Sequence, residues 1–371
     1  MRRFFHIFTT LLLATALSVA ADKKKKKEEI TQVHEILPDP PAAVVAATAR
    51  LEFHVTPLSN KGLLSQQTRD ALKEILKSLR GGTVVKLRAF VAGSGDLRRV
   101  GTIVSEIFTE KKLPIPAISV IQIGQLPMEG AQVQIEAIIS GKKAVNPNGL
   151  GFLSGMGGTG KDPLARLNDL TNKAIADLRQ AAGFAGSEAS DMLRVTCLVS
   201  SLDHFSEIRG LVATAFPAAA ITMVQSERAM GNALSECEGV VRLRKKPTGP
   251  LVHLSPKEMS PSPNYSKAAL VGSDQIIFTG TQLAFHYQDA DVRLAFQRMA
   301  KVLELNKGSI RKIAFSSIYP VSGGMAEKVR NLRFEFFDKE HPPAATMIVF
   351  EGLPGMDASM AIELVAVPAV P

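Results

Sequence analysis

The chain has 371 residues, of which 46% are hydrophobic and 21% charged, with a formal net charge of +9. This length is too great for one hydrophobic core and suits about three domains, and the composition excludes an intrinsically disordered chain. Tryptophan is absent and only three tyrosines occur, so a basic surface with interleaved aromatic residues is lacking and no nucleic-acid partner is expected.

The first 21 residues have the features of a secretory signal peptide. Arg2 and Arg3 precede a mainly apolar stretch at residues 7–17, and the small residues Ser18 to Ala20 follow it. This order predicts cleavage near residue 21 and a periplasmic or secreted protein, with an uncleaved anchor as the alternative. No other stretch approaches the roughly 18 apolar residues of a membrane helix, so no transmembrane span is expected after cleavage.

Residues 22–43 are charged and then proline-rich, which is typical of a linker. Five lysines at positions 23–27 stand beside Glu28 and Glu29 and predict a solvated leader. Binding of this lysine run to anionic lipid or nucleic acid is the alternative.

A first domain is predicted over residues 44–143. Alternating apolar residues predict a strand at 47–55, and a helical periodicity then ends at Gly81 and Gly82. The remaining predicted elements are a strand at 84–91, a helix at 97–108 and paired strands at 117–123 and 133–139.

A second domain, over residues 144–244, repeats this order. A glycine-rich strand and loop at 149–160 precede a helix, and strand, helix and two strands follow. The segment from Gly155 to Asp162 nearly matches a phosphate-binding loop, but Asp162 stands where Ser or Thr would hold magnesium. We therefore predict a flexible loop without a nucleotide, and we expect no cofactor.

A second proline-rich linker is predicted over residues 245–263, and a third domain over 264–371. The third domain gives the clearest copy of the pattern. Its predicted elements are strands at 268–270 and 275–279, a helix around 292–302, a strand at 310–318, a helix around 325–337 and closing strands.

The three domains share residues at matched positions. An extended segment opens with Pro-Ala at Pro116, Pro217 and Pro343, and each closing strand ends on a glutamate, namely Glu136, Glu238 and Glu363. Because both helices of a unit can cover one face of a mixed sheet, the other face stays apolar and needs a partner. We therefore predict that one chain folds as a monomeric, intramolecular pseudo-trimer around a pseudo-threefold axis.

A basic residue also recurs in each domain, at Lys86, Arg194 and Lys312. Solvated edge charges are the simpler interpretation. Convergence of the three cations on the axis, with an anion site there, is the alternative.

The third domain resembles the RidA family, also called YjgF or L-PSP endoribonuclease-like. The resemblance rests on Tyr265, the segment 275–280, Asn331, Pro343-Ala344 and Ile362-Glu363. The first domain is similar from Val84 through Pro116-Ala117 to Ile135-Glu136. The second is similar through Ser154-Gly155, Phe216-Pro217-Ala218 and Glu236-Cys237-Glu238, so the likeness covers nearly all of the mature chain.

This resemblance implies a chorismate-mutase-like α+β fold and a trimer with clefts between its subunits. Active members hydrolyse imines or enamines derived from amino acids and release ammonia. Their substrate carboxylate is held by an arginine two residues after the Pro of a Pro-Ala-Arg strand. Here those positions are Ile118, Ala219 and Ala345, so the anchor is missing in all three copies.

Several other family positions are retained, each in only some copies. The acidic residue of the last strand survives as Glu236, where the other copies have Gln134 and Ala361. The remaining ligand-binding candidates are the cleft tyrosine Tyr265, the helix asparagine Asn331, and the Ser-Gly turns at Thr279-Gly280 and Ser154-Gly155. A composite cleft that combines Glu236 with Tyr265 or Thr279 is conceivable.

Cys197 and Cys237 lie on strands that the family fold would place side by side. A disulfide and two buried free thiols both remain open. No Cys or His cluster has metal-ligand spacing, so no metal site is predicted.

These observations predict an exported RidA-like protein that binds a small metabolite or a protein partner in its inter-domain clefts and has lost deaminase activity. The alternative is a divergent hydrolase of the 2-iminobutanoate or 2-iminopropanoate deaminase type, with another cation in the cleft. Ribonuclease activity is disfavoured because export would separate the protein from cytosolic RNA.

Overall fold

The computed structural model describes residues 37–160, 165–228 and 231–369. The predicted signal peptide, the lysine run at 23–27 and Asp162 lie outside these residues. From Leu37 onward the chain is a single unit with three mixed β-sheets, each carrying two helices. The expectation of an α+β fold is confirmed at this level, and we call each sheet with its two helices a module.

The described chain begins with β1 (Ala43–Ala47) and then forms the first module. Its elements are β2 (Leu51–Val55), α1 (Leu64–Lys77), β3 (Thr83–Ala92), α2 (Arg98–Glu110), β4 (Ala117–Ile123) and β5 (Val133–Ser140). Val100, Ile103 and Ile107 recur at helical spacing, and α2 buries them in the core of this module. Arg80 and Gly81 adopt positive φ angles of 44° and 81°, and this left-handed turn separates α1 from β3.

The second module follows the same order. Its elements are β6 (Leu150–Thr159), α3 (Leu167–Phe184), β7 (Met192–Val199), α4 (Phe205–Ala215), β8 (Ala220–Gln225) and β9 (Leu234–Arg242). Ala174, Leu178 and Ala181 face the core of this module from α3.

Two short strands lead into the third module. They are β10 (Leu251–Leu254) and β11 (Ala268–Val271). The module itself comprises β12 (Gln275–Thr279), β13 (Gln282–Phe285), α5 (Asp289–Leu305), β14 (Gly308–Pro320), α6 (Gly323–Leu332), β15 (Ala344–Met347) and β16 (Ala358–Pro368).

All three sheets contain the same four-strand core. The orders are β2-β5-β3-β4, β6-β9-β7-β8 and β12-β16-β14-β15. In each, the strand between the two helices pairs parallel with the next strand and antiparallel with the last strand of the module. The repetition read from the sequence is therefore a repetition of topology.

Strands cross between modules. β1 pairs with β12 and so extends the third sheet, although the chain continues directly into β2 of the first sheet. Likewise β11 pairs with β6 in the second sheet and the chain continues into β12 of the third. A 3-10 turn at Thr48–Arg50 separates β1 from β2, so the strand predicted at 47–55 is interrupted where the chain changes sheets.

Two further expectations differ from the structure. The glycine-rich stretch at 155–159 was predicted as a loop and instead continues strand β6, because its backbone pairs with β9. The stretch 245–263 was predicted as a linker without periodicity, yet it contains β10, which β11 holds by a short antiparallel ladder. Both segments gain their strand conformation from a partner that lies far away in sequence.

The hydrophobic core has two parts. Each module has a cluster between its helices and its sheet. Two more clusters contain side chains from all three modules, with Val85, Phe152 and Phe315 in one and Phe90, Leu198 and Tyr319 in the other. The helix-free faces of the sheets therefore contribute to shared apolar cores.

Candidate functional site

Three buried glutamates meet between the modules. Glu136, Glu238 and Glu363 occupy the same place on β5, β9 and β16, opposite Arg88, Thr196 and Ser317 respectively. All three glutamates are buried. Three carboxylates this close to one another need cations, because isolated buried charges are costly.

Arg88 supplies one guanidinium to all three. Its Nη2 lies 2.6 Å from Glu136 Oε2 and 2.8 Å from Glu238 Oε1, and its Nη1 lies 3.8 Å from Glu363 Oε1. Nη2 also donates to Thr196 Oγ1 at 3.0 Å. Side chains of all three modules are therefore linked through Arg88.

Lys86 and Arg194 complete the charge balance of this central cluster. Lys86 Nζ lies 2.6 Å from Glu363 Oε2, and Arg194 Nη2 lies 3.1 Å from Glu238 Oε1. Two of the three recurring cations therefore converge, contrary to the simpler interpretation of solvated edge charges. Lys312 is exposed, because Phe315 occupies the matching place opposite Val365.

The pKa values of the cluster follow from burial and pairing. Burial alone would raise the pKa of Glu363, but Lys86 and Arg88 lower it to about 2. Burial would lower the pKa of Arg88, but Glu136 and Glu238 raise it well above its ordinary value. Burial also lowers the pKa of Lys86, which Glu363 only partly offsets. A cavity of about 30 Å³ beside these side chains has room for about one water molecule.

The first of the three vacated arginine positions lines an open cleft. Ile118 lies at a cavity of about 500 Å³, which we call the Ile118 cleft. The remaining lining is contributed by residues 39–42, Leu97, Arg98, Gly101, Val120, residues 280–283 and Pro354. The cleft therefore lies between the first and third modules, and most of its lining is apolar.

Gly280 lies at this cleft, whereas its neighbour Thr279 is buried beside the central cluster, where its carbonyl oxygen accepts from Lys86 Nζ at 2.6 Å. Thr279 Oγ1 also accepts from Leu364 N at 2.8 Å, and Gly280 N donates to Ala42 O at 2.8 Å, so the polar groups of both residues are already used. A Cβ added at Gly280 would lie 3.0 Å from the carbonyl oxygen of Ile118. Glycine therefore suits the close approach of the two modules here and does not offer a free N–H.

The second position, Ala219, packs against the core of the second module. Its neighbour Ala218 lines a cavity of about 550 Å³ between the first and second modules. Arg80, Lys142, Lys143 and Arg242 also line this cavity. Arg80 and the two lysines are exposed surface groups.

The third position, Ala345, does not line an open cleft in this way, because hydrogen bonds join its strand to the second module. The Ala345 N–H donates to Ser154 Oγ at 2.8 Å, and Ser154 Oγ donates to Ser266 O at 2.6 Å. Ser266 in turn is bound to Pro342 O and Pro343 O. We call this contact between the second and third modules the Ala345 junction.

Glu236 lies against the same strand as Ser154. A Cβ at Gly155 would lie 2.0 Å from Glu236 Oε1, so only glycine leaves space for this carboxyl. Burial and the neighbouring Glu238 raise the pKa of Glu236 to about 8. This carboxyl therefore carries a proton for much of the time near neutral pH.

The sequence candidates are thus distributed over several places. Ser154, Gly155, Glu236 and Ala345 lie at the Ala345 junction, and Tyr265 is adjacent to Ser266 there. Gly280 lies at the Ile118 cleft, and Thr279 lies beside Lys86 in the central cluster. Asn331 is exposed on α6.

Sequence reasoning missed Arg88 and Arg333. Arg88 does not recur, since Thr196 and Ser317 occupy its place in the other modules, so a search for repeated residues passes over it. Arg333 directly follows α6 and is buried. Its signal in the sequence was its position two residues after Asn331.

Cys197 and Cys237 face each other on β7 and β9. Their Sγ atoms lie 2.05 Å apart, as in a disulfide. Across residues 37–160, 165–228 and 231–369, no group of three or more His, Cys, Asp or Glu side chains could hold a metal ion.

A separate search of the described helices finds none that is both long and apolar enough to cross a membrane.

Residues 39–140 match the family described as Endoribonuclease L-PSP. This match covers the first module, and the resemblance seen in the sequence is confirmed there. No curated protein matches the chain.

Solved structures of this family are also similar to the chain. A Rid protein of unknown function from Yersinia pestis is 18% identical, with 32% of this chain and 98% of that chain covered and a TM-score of 0.29. A putative endoribonuclease L-PSP from Entamoeba histolytica is 23% identical over 26% and 82%, with a TM-score of 0.23. RidA from an Antarctic Psychrobacter is 15% identical over 24% and 79%, with a TM-score of 0.22.

Proposed function

We propose that this chain is an exported, internally pseudo-trimeric binding protein that takes a small molecule between its modules and does not hydrolyse imines. The observation that carries the proposal is Ile118, which stands in an open cleft at the position where active relatives have their arginine. The cleft is retained while its catalytic anchor is absent.

Three features support the pseudo-trimer. The modules share one strand order, strands pass between neighbouring modules, and apolar side chains of all three meet in common clusters. Arg88 adds a polar link, because it contacts one glutamate from each module. A chain of three separate lobes would leave these groups exposed or unpaired.

The loss of imine hydrolysis follows from the chemistry of the replacements. Methyl and sec-butyl groups cannot donate hydrogen bonds, and a desolvated carboxylate without a partner costs several kcal/mol. Arg98 is the guanidinium at the Ile118 cleft, but it is largely exposed and bound to Asp96 at 3.2 Å. It therefore offers little of the preorganised bidentate binding that a carboxylate needs.

A small-molecule ligand is supported by the size and lining of the Ile118 cleft. Its volume of about 500 Å³ lies within the usual range for ligand sites, which are mostly apolar with a few polar groups. Pro40, Pro41 and Leu283 provide apolar surface, while Asp39 and Gln282 provide the polar groups. A compact, largely apolar metabolite fits this lining best.

Two measurements test the proposal. The purified protein should release no ammonia from freshly generated 2-iminopropanoate above the rate in buffer, and a clear catalysed rate would contradict it. The protein should also bind the neutral fluorescent probe 1-aminoanthracene. Ile118→Trp should abolish this binding by filling the cleft, whereas the control Leu63→Trp, at an exposed site outside the cleft, should leave it unchanged.

One observation favours the alternative deaminase. Glu236, with its pKa raised to about 8, has the protonation behaviour of a general acid near neutral pH. Ammonia release that is lost in Glu236→Gln would establish this second function in place of the first.

Export is supported by the signal-like first 21 residues and by the Cys197–Cys237 pair, since disulfides persist in oxidising compartments. Expression of the full chain in a bacterial host should yield a periplasmic or secreted protein whose mass lacks the first 20 or 21 residues. An intact N-terminus on a cytosolic product would contradict export.

A further inference from the structure

Arg333 is a buried arginine for which the described residues provide no ion-pair partner. The residue is 2% exposed, and its Nε is buried with no hydrogen-bond partner among these residues. Its guanidinium carbon lies 5.1 Å from the centroid of the Phe334 ring.

This arrangement is unusual for a folded protein. Buried arginines are almost always paired, because an uncompensated charge in a poorly solvated place costs several kcal/mol. Burial, with a smaller contribution from Arg330, lowers the pKa of Arg333 to about 10. The guanidinium therefore remains positively charged at neutral pH, and no carboxylate of the described residues balances this charge.

A second buried cation lies in the same neighbourhood. Tyr265 is close enough to act electrostatically on Arg333, and Lys267 Nζ lies 3.4 Å from Tyr265 Oη and 4.9 Å from the centroid of its ring. Lys267 is 8% exposed, and among the described residues it has no carboxylate partner. Lys267 therefore contacts the phenol of Tyr265 directly, Arg333 interacts with it electrostatically, and neither cation has a carboxylate partner among the described residues.

Backbone hydrogen bonds fix Tyr265 and Lys267 at the Ala345 junction. Ser266, between Tyr265 and Lys267, donates from its N–H to Pro343 O at 3.1 Å and from its hydroxyl to Pro342 O at 2.7 Å. The Lys267 carbonyl accepts from Ser154 N at 3.1 Å. Tyr265 and Lys267 are thus held in place by the strands of two modules.

We propose that Arg333, Lys267 and Tyr265 form a binding site for a small oxyanion, such as the carboxylate or phosphate of a ligand. The planar guanidinium matches two oxygens of such a group, an ammonium adds a second positive charge, and a phenol donates a hydrogen bond. The inference goes beyond the proposed function, because it assigns a second ligand site near the Ala345 junction, away from the Ile118 cleft. It assigns this role to residues outside the vacated arginine position.

The test is oxyanion binding by the purified protein and four variants. Sodium acetate and sodium phosphate are titrated separately, with sodium chloride held at constant ionic strength, and binding is followed by the concentration-dependent rise in melting temperature. Wild type should bind one or both oxyanions, which also separates the carboxylate from the phosphate source. Arg333→Met should weaken binding about tenfold or more, since a charge-assisted hydrogen bond is lost.

The other variants separate the site from general electrostatics and from a structural role. Lys267→Met and Tyr265→Phe should each weaken binding, while Arg330→Met, which removes a more exposed arginine paired with Glu327, should not. Without oxyanion, Arg333→Met should melt no lower than wild type, because it removes an uncompensated charge.

Three results would overturn the proposal. They are the absence of oxyanion binding to wild type, undiminished binding in Arg333→Met, or a large loss of stability in that variant without oxyanion. The binding of 1-aminoanthracene to the Ile118 cleft is measured on the same samples. If it persists while oxyanion binding fails, only the site at Arg333 is refuted.

Discussion

Arg88 and Arg333 are both almost completely buried, at 5% and 2% exposure, and their surroundings are opposite. Arg88 lies among three carboxylates, one from each module. Arg333 has an aromatic ring, a nearby phenol and two other cations in its neighbourhood, with no described carboxylate at ion-pair distance. The first charge is compensated by the fold, and the second is available to a ligand.

The comparison also indicates what three modules of one strand order in a single chain permit. In a trimer of identical chains, every position near the axis holds the same residue three times, and three guanidinium groups could not all occupy the point where one meets three glutamates. Here Arg88, Thr196 and Ser317 hold the matching places. A single chain can therefore place one arginine among three carboxylates.

The largest predicted effect is that of Arg88→Met. It leaves Glu136, Glu238 and Glu363 without their shared cation, and breaking a buried ion pair typically costs about 3–5 kcal/mol. The free energy of unfolding should fall by this amount in urea titrations near neutral pH. Arg98→Met, which removes an exposed arginine paired with Asp96, is the control and should change it by less than about 1 kcal/mol. Equal losses of unfolding free energy in the two variants would show that the buried cluster contributes no more to stability than an exposed ion pair.

Acid should weaken the same cluster. Glu363 has its pKa lowered from 4.5 to about 2 by Lys86 and Arg88, against the effect of burial. A carboxyl with a lowered folded-state pKa stabilises the fold fully above about pH 4.5, and this contribution is lost as the pH falls toward 2. The loss should reach up to about 3 kcal/mol.

Unfolding free energies measured at steps between these pH values check this expectation, and Glu363→Gln should flatten the acid limb. A profile that is level down to pH 2 in the wild type would contradict the assigned pairing.

Glu236 offers a comparison among the carboxyl groups, because the described residues provide no cation for it, whereas Glu238, two residues away, contacts Arg88 and Arg194. The pKa of Glu236 is raised to about 8, so its contribution to stability is present below about pH 4.5 and is lost as the pH rises through 8. Glu236→Gln should therefore stabilise the protein near pH 9 and have no effect near pH 4, with a gain in unfolding free energy that grows by about 1.4 kcal/mol per pH unit between the two pKa values.

Gln134 holds the matching place in the first module, so glutamine is compatible with this position. A stability gain that is the same at both pH values would indicate a packing effect and not titration.

The smallest predicted effect is that of Arg333→Met on stability in the absence of oxyanions. Replacing an unpaired buried charge by an apolar side chain of similar length should leave the unfolding free energy unchanged or raise it by up to about 1 kcal/mol. Calorimetric melting in acetate-free and phosphate-free buffer measures this. A loss of unfolding free energy comparable to that of Arg88→Met would show that Arg333 also stabilises the fold, which would contradict the account.

The repeated order of strands and helices could be predicted from the sequence, because hydrophobic periodicity and the three Pro-Ala segments reflect local structure. It also identified Glu136, Glu238 and Glu363 as matching residues. Their meeting at one point could not be predicted, since it depends on how three sheets pack and not on any one strand.

Lys312 shows why matched spacing can mislead. Register shifts in the pairing of β14 with β16 fall between Gly308 and Ile313 and again between Ile313 and Phe315. They place Phe315, and not Lys312, at the position that Lys86 and Arg194 occupy. Irregular pairing of this kind leaves no clear mark in residue type.

Only some of the sequence candidates are neighbours in the fold. Ser154, Gly155 and Glu236 lie together, whereas Thr279 lies in the central cluster, because β12 joins the sheet of the third module and places Thr279 beside Lys86 of the first. Arg333 was not predicted, because its importance lies in the absence of a partner. Only the folded surroundings of a side chain can reveal that absence.

The most direct test of the contrast between the two arginines is a crystal structure of the protein grown in sodium acetate. We predict an acetate bound to Arg333, with Arg88 surrounded by Glu136, Glu238 and Glu363 and by no exogenous anion. A protein carboxylate paired with Arg333, or an Arg88 side chain turned away from the three glutamates, would contradict the account.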